Sequence, residues 1–215
     1  MAAGESDAQR HLVVFDCNIY LDVARLLVAP FSWDNFDQEV ARLAKVKVPH
    51  PTDKSYDSLR AIATCTSGLF VGSETLEVWT NAHIDRMVRG KAEEATTPDD
   101  AGYCGLGWDP EDADALVDDL VWGVVESSNG GTLGKHYPHG HPPLDYEDGM
   151  VFGACRALAS EDPLARIYCV TRDNGFIAAY EAGRLGDVAY VMRPSRFVAF
   201  MRQARAQYAM QKMKP

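Results

Sequence analysis

Four carboxylates stand where their neighbours could bring them together. Asp16 directly follows the apolar run LVVF at 12–15, and Asp173 lies two residues beyond the run RIYCVT at 166–171. Glu77 is expected one turn into a helix that Ser73 caps, and Asp148 in the first turn of a helix preceding the strand before Asp173. In an open α/β sheet, ligands bind beyond the carboxyl ends of the strands. Carboxylates converging there from four segments would repel one another unless a cation neutralised them. Oxygen-only ligands suit Mg²⁺ or Mn²⁺ better than zinc. Taken singly, each acid has an ordinary explanation: a cap, a solvated helix residue, a first-turn charge or a turn residue. The joint arrangement favours a metal site. Asn18 and Thr171 stand close enough in sequence to hydrogen-bond a carboxylate or a water, and Arg172 could touch a phosphate.

The elements that must carry these residues alternate between short apolar runs and helical patterns. A strand at 12–15 leads to a helix reaching about Val28, a second helix starts near Ser32, and a third spans 55–65. LFVG at 69–72 reads as a second strand, followed by a helix over 74–89. A polar connection at 90–108, a helix from Pro110 and a Gly-, Pro- and His-rich loop at 127–144 come next. A helix from Asp145 or Glu147 to Ala159, the strand at 166–171, a short helix after Asp173, a strand at 188–192 and a C-terminal helix capped by Ser195 complete the chain. Such alternation predicts a mostly parallel sheet covered on both faces, a three-layer α/β/α arrangement. Residues 1–10 read as a flexible N-terminus and 11–215 as a single domain with an irregular extended segment at about 90–144.

The segment VVFDCNIYLD resembles the opening motif of PIN domains, a hydrophobic strand, an Asp, any residue and an Asn. SETLEVW is similar to their second motif with Glu77 as its carboxylate, LDYEDGMVFGACRAL to the third with Asp148, and VTRDNGF to the fourth with Asp173. Asp145, one turn before Asp148, matches a doubled form of the third motif. The motifs occur in the family's order and span roughly residues 11–200, although Cys17 stands where Thr is common and 90–144 is longer than in small members. The resemblance implies a PIN-like fold and a nuclease, most directly an endoribonuclease with DNA as a second substrate. It implies Mg²⁺ or Mn²⁺ held by Asp16, Glu77, Asp148 and Asp173. For members that are toxins of toxin–antitoxin pairs, it also implies a small antitoxin partner.

Composition limits the alternatives. The chain has 47% apolar residues, and its polar N-terminal run lacks the apolar core of a secretory signal; a cytoplasmic protein without a membrane span is expected. Five scattered cysteines form no C-x-x-C pair and read as reduced thiols. His136, His139 and His141 lack the spacing of a helical zinc site, and Trp79 and Trp122 read as core residues on apolar helix faces. The net charge of -10 argues against coating nucleic acid, yet it is unevenly spread. Residues 93–126 carry eleven acids and no Lys or Arg, whereas 184–215 carry seven bases against Asp187. Arg193 and Arg196 in that basic segment could hold a phosphate backbone, or the segment could pair with the acidic stretch within the chain or across a homodimer. An aspartyl-nucleophile phosphatase would want an acid where Asn18 stands. A receiver-like domain would want a Lys where the chain offers Arg193. An RNA-binding scaffold with a degenerate site is the non-enzymatic alternative.

Overall fold

The structure is a computed structural model, described over residues 9–45, 54–96, 105–134 and 143–213. Its centre is a five-stranded, all-parallel sheet in the order β3-β2-β1-β4-β5. The strands are β1 (Arg10–Phe15), β2 (Thr75–Asn81), β3 (Gly131–Leu133), β4 (Arg166–Val170) and β5 (Tyr190–Met192). In β1, Leu12 to Phe15 are all buried, as expected of a central strand covered on both faces. Each such side chain contributes about 1.5–3 kcal/mol of burial.

Between β1 and β2 run α1 (Cys17–Leu27), α2 (Trp33–Lys45) and α3 (Ser55–Cys65). Between β2 and β3 lie α4 (Ala82–Glu93), α5 (Pro110–Ala115), a π-helical stretch (Leu116–Trp122) and α6 (Gly123–Ser127). The remaining helices are α7 (Tyr146–Glu161), α8 (Asn174–Glu181) and α9 (Pro194–Lys212). Crossovers between parallel strands are right-handed, so connections running toward β3 and those running toward β5 place their helices on opposite faces. α7 accordingly packs on β1 and β4, while α3 packs against α1 and α9. Gly149 to Cys155 of α7 are all buried, and the small side chains among them allow the helix to lie close to the sheet.

Four local expectations need correction. LFVG is not a strand: Gly68 and Gly72 take positive φ (64° and 59°), and the segment turns back so that Leu69 bridges Thr75 in antiparallel fashion. The second strand is Thr75–Asn81, and the following helix begins only at Ala82, capped by Asn81, whose Oδ1 accepts from the N–H groups of His83 and Ile84 at 2.9 Å each. β3 was hidden inside the Gly-rich loop. A Cβ at Gly130 would lie 1.8 Å from the Val78 carbonyl oxygen, so only glycine lets the chain enter beside β2. Finally, Arg193 rather than Ser195 takes the N-cap position of α9, with Pro194 in the first turn. Among the described residues, no helix is long and apolar enough to cross a membrane.

Candidate functional site

The sheet order reverses direction at β1 and β4, the place where an open α/β sheet leaves a crevice at its carboxyl edge. Phe15 pairs with Val170 in register, so the residues just beyond, Asp16 and Thr171, emerge side by side. The Asp16 N–H still donates to the Val170 carbonyl (3.0 Å), which fixes where the chain leaves the sheet. Asp16 occupies the N-cap position of α1, but its carboxylate does not cap the helix. Instead Oδ2 accepts from Thr171 Oγ1 at 2.6 Å and from Asn18 Nδ2 at 2.5 Å. Thr171 Oγ1 accepts in turn from the Asp173 N–H (2.9 Å). Asn18 and Thr171 thus hold a buried carboxylate, as their sequence positions suggested.

Asp173 caps α8, accepting from the Phe176 N–H at 2.7 Å. Asp145 caps α7 and accepts from the Asp148 N–H at 2.9 Å, placing Asp148 in the helix's first turn. Asp16, Asp145, Glu147, Asp148 and Asp173 line one cleft of about 250 Å³. Its other walls come from α1, with Asp22 and Arg25, and from α4, with His83, Met87 and Lys91.

The charges in this cleft conflict. Burial raises the Asp148 carboxyl, and the charges of Asp16, Asp173, Asp145 and Glu147 add to the rise, pushing it up to about 8. Burial also raises Asp16, against hydrogen bonds from Thr171 and Cys17 that lower it. The Cys17 thiol is pushed well up by burial and by Asp16, so it stays a thiol. Near neutral pH the cluster keeps a proton on Asp148 unless other positive charge enters. Among the described residues, no three His, Cys, Asp or Glu groups already stand as a ligand shell.

No family model, curated protein or solved structure matches the chain. The assignment of roles therefore rests on the residues themselves.

Glu77 does not join the cleft. It lies within β2 opposite Leu12, about 10 Å short of the carboxyl edge, where the sequence pattern had suggested a helix. Its carboxylate is taken up by Arg10, with Nε donating at 2.9 Å and Nη2 at 2.5 Å, and by Thr75 Oγ1 at 2.9 Å and Trp79 Nε1 at 3.3 Å. Burial works against its ionisation, yet these donors, Arg10 foremost, hold it below the usual carboxylate range. Continuing the β1–β2 register places Asn81 beside Asp16. The nearest acid on the following helix, Asp85, accepts from Thr80 Oγ1 at 3.0 Å and is not among the lining residues. Among the described residues, the second-strand corner of the cleft is therefore lined by His83, Met87 and Lys91 rather than by a carboxylate.

Arg172 is already engaged: its Nη1 pairs with the buried Asp22, which also accepts from Ser58 Oγ at 2.6 Å, and its N–H donates to Asn18 Oδ1 at 3.3 Å. Arg193 reaches the Arg172 carbonyl (3.4 Å) and Asn174 Oδ1 (2.6 Å), while Arg196 is exposed. Trp122 is 41% exposed rather than core, and Trp79 is half-buried on β2 rather than on a helix. His136, His139 and His141 lie outside the described residues. The sequence reading missed Asp22, Arg25, His83 and Lys91. Asp22 follows Asn18 by four residues, a spacing that returns to the same helix face and could have pointed to it.

Proposed function

We propose that the chain is a metal-dependent nuclease hydrolysing phosphodiester bonds, with RNA as its principal substrate and DNA as the alternative. The observation that supports this best is the convergence of Asp16, Asp148 and Asp173 in one cleft where burial, reinforced by the neighbouring carboxylates, holds Asp148 up at about 8. The donor set fits a hard divalent ion of the Mg²⁺ or Mn²⁺ class, being all carboxylate oxygen. The shell is not preformed, so binding would draw these side chains closer and displace the proton on Asp148. Such an ion would lower the pKa of water and offset charge on phosphoryl oxygens.

The protein's own groups set the rest of the chemistry. Asn18 and Thr171 fix the orientation of Asp16. Asp145 anchors the turn that presents Asp148. Lys91, held by Glu94 at 2.6 Å, and Arg25 bring positive charge to the far wall, where an anionic substrate needs it. An aspartyl-phosphatase reading fits less well, because Asp16 is only 3% exposed and bound by Asn18, which cannot protonate a leaving group. The motif resemblance to PIN domains supports the endonuclease form. It also supports a small antitoxin-like protein as the inhibitor.

The test is cleavage of labelled RNA and DNA with and without Mg²⁺ or Mn²⁺. Chelation should abolish cleavage and added Mn²⁺ restore it. Asp16→Asn, Asp148→Asn and Asp173→Asn should each lose at least about a hundredfold in rate. Full activity in excess chelator, or near-native rates in any of the three variants, would refute the assignment.

A further inference from the structure

A second charged feature lies outside the carboxylate cleft. Two cavities, of about 390 Å³ and 380 Å³, follow one another along the seam between α3 and α9, the second also walled by α2. Their lining residues recur at helical spacing on a single face of each helix: Lys54, Asp57, Arg60 and Thr64 at the start of and along α3, and Ser195, Val198, Arg202 and Arg205 on α9. The two cavities thus line up along the α3/α9 seam and together make an interrupted groove. The twelve residues of α9 from Pro194 to Arg205 span roughly 16 Å, at about 1.5 Å per step along the helix.

The groove is cationic. Among its described lining residues Asp57 is the one carboxylate, against Lys54, Arg60, Arg172, Arg193, Arg202 and Arg205. Arg172 is neutralised by Asp22. Arg205 is held by the carbonyls of Thr64 (3.2 Å), Leu69 (2.8 Å) and Phe70 (3.2 Å), which fix its position without cancelling its charge. The Arg60 guanidinium is lowered first by burial and then by the positive charge of Arg202, with Asp57 opposing. Like charges this close, in a chain of net charge -10, mean that an anion is the natural occupant.

The groove also begins beside the site. Residues 172–174 serve both places: Asp173 lines the carboxylate cleft, whereas Arg172 and Asn174 line the first of the two cavities, at the start of α9. We propose that the α3/α9 groove carries the phosphate backbone of a nucleic-acid strand extending away from the carboxylate cleft, an inference that rests on the nuclease reading. A strand in helical form has one phosphate per about 3.4 Å of axis, so the groove runs beside several phosphates. Residues far from the scissile bond would then decide how strongly a long strand binds, and the substrate would be a polynucleotide rather than a nucleotide or short ester.

The test compares the wild type with Arg60→Gln/Arg202→Gln, and with the single variant Arg202→Glu at an exposed position in case the double variant folds poorly. Binding of a labelled 12-nucleotide RNA is measured in chelator against salt concentration, and a polyglutamate of similar length is run as competitor. Loss of two phosphate contacts should make the log–log salt slope shallower by about 1.4 and weaken binding by roughly tenfold at 0.1 M salt. Mn²⁺-dependent hydrolysis of bis(p-nitrophenyl) phosphate, too short to reach the groove from the cleft, should be unchanged. An unaltered salt slope in both variants overturns the proposal, as does polyglutamate binding as tightly as the RNA, which would indicate an acidic protein partner. A wild type that hydrolyses neither RNA nor the ester, yet binds RNA with a slope the variants flatten, refutes the nuclease reading and keeps the groove.

Discussion

Replacing Asp148 with Asn should stabilise the metal-free protein, and the gain should grow with pH. The Asp148 carboxyl sits at about 8 in the folded chain and near the ordinary value of 3.8 when unfolded. Between these values the native state holds a proton that the unfolded state has released, so ionisation favours unfolding increasingly as pH rises from about 4 to about 8. Beyond that the penalty is constant. A shift of roughly four units at about 1.4 kcal/mol each would set an upper limit of 5–6 kcal/mol. Asp148 is only partly buried, and solvent screening reduces the expected effect to about 2 kcal/mol. For a domain of this size that corresponds to a rise in Tm of about 4–8 °C at pH 8.5. Thermal unfolding of both proteins in chelator, from pH 4 to pH 9, measures it. Adding Mn²⁺ should reverse the order: a ligand at a hundred times its Kd adds about 2.7 kcal/mol to the wild type and much less to the variant. A Tm difference that stays flat across pH, or a variant less stable at pH 8.5, would show that burial and the acidic neighbours do not raise the Asp148 carboxyl as described.

Glu77→Gln should leave cleavage within about threefold of wild type while costing about 1–2 kcal/mol of stability, since it removes one partner of a half-exposed ion pair. Because the Glu77 carboxyl is held low, the wild-type advantage should be present above the unfolded value and fade as pH falls through the folded one; a large rate loss with unchanged Tm would return Glu77 to the site. Asn18→Ala and Thr171→Val should each lower the rate by about tenfold or more with the fold retained, as Asp16 loses an orienting donor, and far-UV circular dichroism beside single-turnover rates would separate this from unfolding.

The parts of the molecule that sequence made legible are those whose signals are local. β1, α1, α3, α7, β4 and α8 each begin or end at an apolar run bounded by a cap or turn residue, and Asp16, Asp148 and Asp173 sit at those boundaries. The β2–α4 region broke the rule. Leu76, Trp79, His83, Ile84 and Met87 fall at helical spacing across a strand–helix junction with no Gly or Pro, so one period appeared to run through both elements. That error moved Glu77 from mid-strand to a helix, and with it to the site. Its true partner, Arg10, is 67 residues away, a pairing no local pattern encodes. Asp22 and Arg172 were obscure for the same reason: their partnership is made by the fold, across 150 residues.

The two outermost strands of the sheet, Gly131–Leu133 and Tyr190–Met192, have three residues apiece. A sheet border that short offers a neighbouring molecule few free N–H and C=O groups to align on, and Gly130 seats one of them tightly against β2. Cross-molecular strand addition, the usual first step toward fibrous aggregation, therefore has little to grip at either border. A chain whose sheet is all parallel, and so folds through slow long-range pairings, gains in that way a measure of protection while it assembles.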